Sequence, residues 1–271
     1  MHANLKKLAG FSLLLLVLLS HTAVGQVQVS GDLILFGRGM PGDSYQGSIK
    51  LENGGSEAEE VLVYMNDYFF SADGGTVYSE PGTNERSNAP WIEFFPNILN
   101  IAPGADAEVG YRVRIPEDGE LAGTYWSMLF VEGVPKETEL PESKDKFIFS
   151  IQQVVRYGIQ MITDIGDTGY VDVGFENPSL TLENGTGELS ATIVNTGTVR
   201  IRPSFSCIVF DLSGVELAVI EGGEKRLYPG TSTRSVFNLP ALDAGRYRAL
   251  VIADGGGENL YGANYTLEIE E

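Results

Sequence analysis

One order of landmarks occurs twice in this chain, and it limits the fold more than any single motif does. The first half has "IKLENGG" with Asn53, then "IAPGA" with Pro103 and Gly104, then "VRIP" ending at Pro116, then "LAGTYWSMLFVEG" with Gly123 and Tyr125. The second half has "ATIVNTG" with Asn195, "LYPGT" with Pro229 and Gly230, "FNLP" ending at Pro240, then "LDAGRYRALVIAD" with Gly245 and Tyr247. Each half therefore runs strand, Asn turn, Pro-Gly turn, strand ending in Pro, and a Gly-x-Tyr that opens a late strand. A repeat of this size predicts two similar β-sandwiches in tandem. Each Tyr follows a tight turn, as in a tyrosine corner, so Tyr125 and Tyr247 are expected to be structural. The boundary is expected at "TDIGDTG", which gives units 26–163 and 164–271.

The local signals agree. Short alternating runs such as "QGSIKLEN", "EVGYRVRIP", "ELSATIVN" and "NYTLEIE" alternate with turn clusters, and no amphipathic helix follows residue 26. In "SADGGT", "ENGTGE" and "DLSGVE", Gly follows Asp, Asn or Ser where a turn needs positive φ. The expected class is all-β.

The N-terminus reads as a secretory signal over residues 1–25. Lys6 and Lys7 precede an apolar run from Leu8 to Leu19, and "AVG" supplies small residues at the cleavage site. The run is short for a membrane span, and no later segment is long enough, so an exported chain with no span after cleavage is expected. Both histidines, His2 and His21, fall in the leader. Imidazole catalysis and His-ligated metals are thereby removed from the mature chain. Cys207 is the lone cysteine, so no intrachain disulfide can form, and "FSCIVF" places it as a small core residue. A net charge of −19 argues against a nucleic-acid partner.

Chemistry-bearing motifs are absent: there is no Gly-x-Ser-x-Gly elbow, no phosphate-cradling loop and no Cys/His cluster. No enzyme activity, cofactor or metal is expected. Asp164, Asp167 and Asp172 offer oxygens of the kind calcium takes, but their spacing matches no known loop and solvated turn residues are the expectation. "GTYWSMLFV" is apolar on both faces. One face must be core; the face of Trp126, Met128 and Phe130 needs a cover from the long loop, the second unit or a partner. "SNAPWIEFFP" reads as an anchor between strands.

"KFIFSIQQVVRYGIQMI", residues 146–162, reads as one long strand. Its alternate residues Phe147, Phe149, Ile151, Val155, Tyr157, Ile159 and Met161 form an apolar row broken only by Gln153. That row can face the protein's own core along its whole length, or partly another chain.

The run "WIEFFPNILNIAPGADAEVGYRVRIPEDGELAGTYWSMLFVEGVP", the polar loop "KETELPESKDK" and "FIFSIQQVVRYGIQMI" together resemble the N-terminal domain of periplasmic fimbrial chaperones, the PapD-like family. In that family a late strand ends in V-x-x-V/I-P, here "VEGVP", before a loop and a long alternating strand. The resemblance covers most of residues 27–163 and the rest in outline. It implies two tandem immunoglobulin-like β-sandwich domains and a periplasmic, non-enzymatic chaperone. The partner it implies is an incomplete pilin-like subunit, with an outer-membrane usher as the assembly site. The chaperone lends its long strand, which pairs along the subunit's edge while alternate apolar side chains fill the groove. The residues implied are Phe147, Phe149, Ile151, Val155 and Tyr157. Two basic residues hold the subunit's terminal carboxylate in that family; Arg156 matches one, while "VQVSGDLILF" lacks the other and Arg38 comes later. The second reading is a cell-surface or wall-associated immunoglobulin-like module that binds protein or glycan without chaperone activity.

Overall fold

The computed structural model of the chain describes residues 27–135, 154–183 and 186–270. The expected leader, and Phe147, Phe149 and Ile151 of the long strand, lie outside the described residues. No helix among the described residues is long and apolar enough to cross a membrane.

The first ten strands are β1 (Val27–Ser30), β2 (Ile34–Gly39), β3 (Ser44–Asn53), β4 (Glu59–Phe70), β5 (Thr76–Ser79), β6 (Ile92–Phe95), β7 (Ile98–Ile101), β8 (Asp106–Arg114), β9 (Gly123–Gly133) and β10 (Arg156–Ile165). They form two sheets, ordered β1-β3-β8-β6 and β2-β10-β9-β4-β5, with β7 also on β4. Between them lies a core of Ile49, Leu51, Val61, Val63, Val109, Val113, Leu129, Val131, Ile159 and Met161. The alternation is direct: in β3, Ile49 and Leu51 point in while Ser48 and Lys50 point out. Strand β9 is buried on both faces over most of its length, as its apolar run, interrupted only by Thr124 and Ser127, requires.

The other strands are β11 (Val173–Glu183), β12 (Thr186–Asn195), β13 (Ser204–Phe210), β14 (Glu216–Glu224), β15 (Ser232–Leu239), β16 (Gly245–Asp254) and β17 (Leu260–Ile269). They form sheets ordered β11-β12-β15 and β14-β13-β16-β17, closed over Leu189, Ile193, Phe205, Cys207, Val209, Phe237, Val251 and Leu267. The architecture is all-β, two immunoglobulin-like sandwiches in tandem.

The repeat holds down to single hydrogen bonds. Asn53 is fully buried; its Nδ2 donates to the carbonyls of Glu57 (2.7 Å) and Ile101 (2.9 Å), and its Oδ1 accepts from Gly55 N at 2.9 Å. Asn195 is also fully buried; its Nδ2 donates to Val199 (2.9 Å) and Leu227 (3.1 Å), and its Oδ1 accepts from Gly197 N at 3.0 Å. Each Asn carbonyl then accepts from the glycine of the following Pro-Gly turn, Gly104 N or Gly230 N, at 2.8 Å. These glycines have φ of 66° and 76°, the third position of a type II turn. Tyr247 makes a tyrosine corner, its hydroxyl donating to the Asp243 carbonyl at 2.9 Å. Tyr125 instead works through its ring, packed on Trp91 at 4.7 Å and under Arg86 at 5.3 Å.

"SNAPW" is the anchor expected. Asn88 is fully buried; its Nδ2 donates to Met161 O (3.0 Å) and Thr163 Oγ1 (2.9 Å), and its Oδ1 accepts from Ser127 Oγ at 2.6 Å. Thr163 Oγ1 in turn meets the Tyr45 hydroxyl at 2.7 Å.

The expected boundary segment is held against both halves. Thr124 N donates to Thr198 O at 2.9 Å. Gly123 permits that approach, because a Cβ there would stand 2.0 Å from Thr198 O. Arg200 donates through its backbone N to Thr124 Oγ1 (3.0 Å) and through its guanidinium to Asp164 (2.9 Å). Tyr228 stacks on Trp126 with centroids 4.8 Å apart and planes at 17°, and meets Tyr68 edge-on at 5.9 Å. The cover that Trp126 needed comes from the second sandwich. Met128 and Phe130 are covered with it, Phe130 under Tyr78 and Tyr64.

Candidate functional site

Of the long strand expected over residues 146–162, residues 146–153 lie outside the described residues. Its ladder begins at Arg156 and runs on to Ile165, with Val154 and Val155 outside it. The reason lies in its neighbour: β9 ends at Gly133 and Pro135 follows, so the ladder loses its partner there.

Antiparallel β9 flanks β10 over its whole described length, with Arg156 opposite Glu132 and Ile165 opposite Gly123. The other edge is shared unequally. Parallel β2 pairs with residues 160–165, Gln160 opposite Ile34 and Ile165 opposite Gly39. Gln160 N donates to Leu33 O at 2.8 Å, and that bond starts the pairing. The division follows from the start of the chain. β1 lies on the other sheet beside β3, and the chain crosses between the sheets at Gly31, with φ 108°. Among the described residues no strand takes the β10 edge ahead of Gln160. Four residues, Arg156 to Ile159, therefore have one free edge.

The apolar row of β10 divides at the same place. Ile159 and Met161 are buried in the protein's own core, and Tyr157 packs partly against it. Val155 is half-buried. Arg156 lies on the opposite face, exposed, its guanidinium 4.5 Å from the Phe130 ring and 5.8 Å from Tyr78. It also reaches the Tyr64 hydroxyl at 3.5 Å, which itself donates to Glu132 at 2.5 Å. Arg38 is not near it. Arg38 is opposite Asp164 and pairs with Asp167 at 2.6 Å; eight residues of strand separate it from Arg156, roughly 26 Å.

A second group of cations has no signature in the sequence, because it comes from the other half of the chain. Arg200 and Arg226 clasp the half-exposed ring of Phe36 in β2, their guanidinium carbons 4.5 and 5.3 Å from its centroid. Lys225 lies 5.4 Å from the Phe70 ring. Among the described residues no carboxylate pairs with Lys225 or Arg226, although acidic residues outnumber basic ones 37 to 18. Among the described residues, Arg226 Nε, Arg200 Nε and the Tyr68 hydroxyl are buried with no hydrogen-bond partner in good geometry, although Arg226 and Tyr68 both lie against the Tyr228 hydroxyl. Burial raises the Tyr228 hydroxyl above the usual tyrosine range, while Arg226 and Arg200 pull it the other way. That hydroxyl donates to Gln160 Oε1 at 2.6 Å. Arg226 and Arg200 thus gather at Phe36, two residues along β2 from Ile34, where the free edge of β10 ends, while Lys225 lies apart at Phe70.

The aspartates weighed for calcium are spread among separate partners: Asp164 on Thr124 and Arg200, Asp167 on Arg38, Asp172 on Thr196. No group of three metal-ligating side chains occurs among the described residues. Cys207 is fully buried, and burial pushes its thiol up to about 11. A thiol reagent at pH 8 is therefore expected to modify the protein only after unfolding. Cys207→Ala is expected to cost about 1 kcal/mol by thermal melting. Rapid labelling of the native chain would contradict the assignment.

No family model and no curated protein matches the chain. Solved structures of fimbrial chaperones are similar to it over about nine-tenths of its length. The class 5 fimbriae chaperone CfaA has 10% identity, covering 90% of this chain and 99% of its own, with a TM-score of 0.47. The Acinetobacter baumannii CsuC–CsuE chaperone–tip subunit complex contains a chain with 14% identity, covering 88% and 97%, TM-score 0.43. The Salmonella enterica SafA pilin–SafB chaperone complex contains one with 15% identity, covering 91% and 98%, TM-score 0.41.

Proposed function

We propose that the chain is an exported, non-enzymatic assembly chaperone that binds a partner subunit by sharing β10 and the residues ahead of it. The observation that carries this reading is the half-open edge of β10, which ends beside Arg226, a cation that no carboxylate among the described residues pairs. From Gln160 onward the edge belongs to β2, which runs parallel to β10. A partner strand in line with β2 would extend the same row, parallel to β10, and its C-terminus would meet Leu33 at Gln160. Arg226 lies close by, at the Phe36 ring two residues along β2, and a terminal carboxylate would give it the charge-assisted hydrogen bond that no carboxylate among the described residues supplies. Arg226 then takes the role that the resemblance gives to a first-strand residue. Phe147, Phe149, Ile151, Val155 and Tyr157 form the donated row, and Arg156 flanks it on the cleft face.

In this reading the partner is an incomplete, pilin-like subunit, the periplasm is the compartment, and an outer-membrane usher receives the complex. The working units are residues 26–163 and 164–271, with the cleft between them.

The test is co-purification from an exporting cell. The wild type is expected to carry a small β-rich subunit in equal amount. Arg226→Ala is expected to weaken capture roughly 10- to 150-fold, as loss of a charged hydrogen bond of about 1.5–3 kcal/mol does, with little change in melting temperature. Equal capture by Arg226→Ala would remove the carboxylate seat. Absence of any such subunit would sink the chaperone reading.

A further inference from the structure

Away from the cleft, on the outer face of the β1-β3-β8-β6 sheet, the side chains leave a groove of about 600 Å³. Its shape follows from two rows across three strands. In one row Phe95 of β6 is opposite Gly110 of β8, which is opposite Ser48 of β3. In the next outward row Glu93 is opposite Arg112, which is opposite Gln46. Gly110 contributes no side chain, so the first row has a gap between an aromatic ring and a hydroxyl. A Cβ built at Gly110 would find only the Phe95 carbonyl, at 3.7 Å.

Phe95 is 78% exposed, the most exposed of the large apolar side chains described. Strand register sends it outward, beside the gap. The second row supplies planar groups of both signs: Arg112 reaches Gln46 Oε1 at a long 3.4 Å, and Glu93 pairs with Arg114 at 3.2 Å. Among the described residues, most N–H groups of the Arg112 fork and the Gln46 amide nitrogen have no side-chain partner.

We infer that this groove binds a neutral oligosaccharide. An exposed aromatic face takes the C–H face of a pyranose ring, whose slightly positive hydrogens meet the negative π-cloud. The hydroxyls around that ring need donors and acceptors together, and Gln46, Ser48, Glu93 and Arg112 supply both. A simple anion would meet Glu93, and a simple cation Arg112. An extended peptide lying across this floor is a poorer fit, because β8 at its centre has both edges paired, to β3 and to β6. Recognition must therefore run through side chains on a flat floor with one aromatic wall.

The experiment titrates the full mature chain, labelled for amide NMR, with maltohexaose, cellohexaose and the hexamer of N-acetylglucosamine. At least one is expected to shift the amides of Ser48, Phe95, Gly110 and Arg112, with a dissociation constant of about 1 mM or tighter. Phe95→Ala removes the ring, and Gly110→Val fills the gap from an outward position with ordinary contacts. Each is expected to weaken that binding by about tenfold or more and to leave the melting temperature close to that of the wild type. No response to any of the three at about 10 mM, or undiminished binding in both folded variants, would overturn the inference.

Discussion

Replacing Asn195 with alanine is expected to lower the melting temperature of the second sandwich by roughly 15–30 °C. The side chain satisfies three backbone groups at once, the carbonyls of Val199 and Leu227 and the N–H of Gly197. Alanine leaves all three without their partner, at about 1–3 kcal/mol for each group that water cannot reach. A total of about 3–5 kcal/mol takes a third or more of a typical domain's stability. Asn53→Ala removes the equivalent bonds, to Glu57, Ile101 and Gly55, so the first sandwich should fall by a similar amount. Calorimetry of the two single variants checks both the size and the equality. A loss below about 1 kcal/mol in either would mean that water replaces the amide, and that the landmark marks a turn without holding it.

These two asparagines also show why the fold could be read from the chain. A residue with two side-chain bonds inside four positions, and its remaining bonds on and just ahead of the later Pro-Gly turn, leaves a signature of Asn, then Gly, then Pro-Gly. The repeat of that signature gave the tandem sandwiches. The site was less legible for a physical reason. Arg200, Lys225 and Arg226 have no pattern of their own; only the packing of Tyr228 on Trp126 brings them to Phe36 and Phe70. The register was half legible. Alternation placed Ile159 and Met161 on the buried face of β10. It carried no information about β2, whose pairing from Gln160 onward decides which part of the edge is free. The described ladder begins at Arg156, where β9 runs out at Gly133, while the apolar alternation continues through Val155.

Two substitutions on the one apolar row should therefore have opposite effects. Ile159→Asn is expected to unfold or severely destabilise the first sandwich. Ile159 is fully buried in the core, and an amide there would lose the burial of a large aliphatic group and lack partners of its own, together about 4 kcal/mol or more. Ile151→Asn, eight residues earlier in the same alternation, is expected to leave the melting temperature nearly unchanged and to weaken capture of the partner subunit. If Ile151 is buried only in the complex, its transfer is worth roughly 1.5–3 kcal/mol, which appears as ~10- to 150-fold weaker binding. The contrast separates a donated strand from a plain closing strand, because both residues are isoleucines of one row and differ only in what covers them. Melting temperature and affinity measured on both variants decide the matter. If Ile151→Asn melts as early as Ile159→Asn, the row faces the protein's own core along its whole length, and donation by this strand is ruled out.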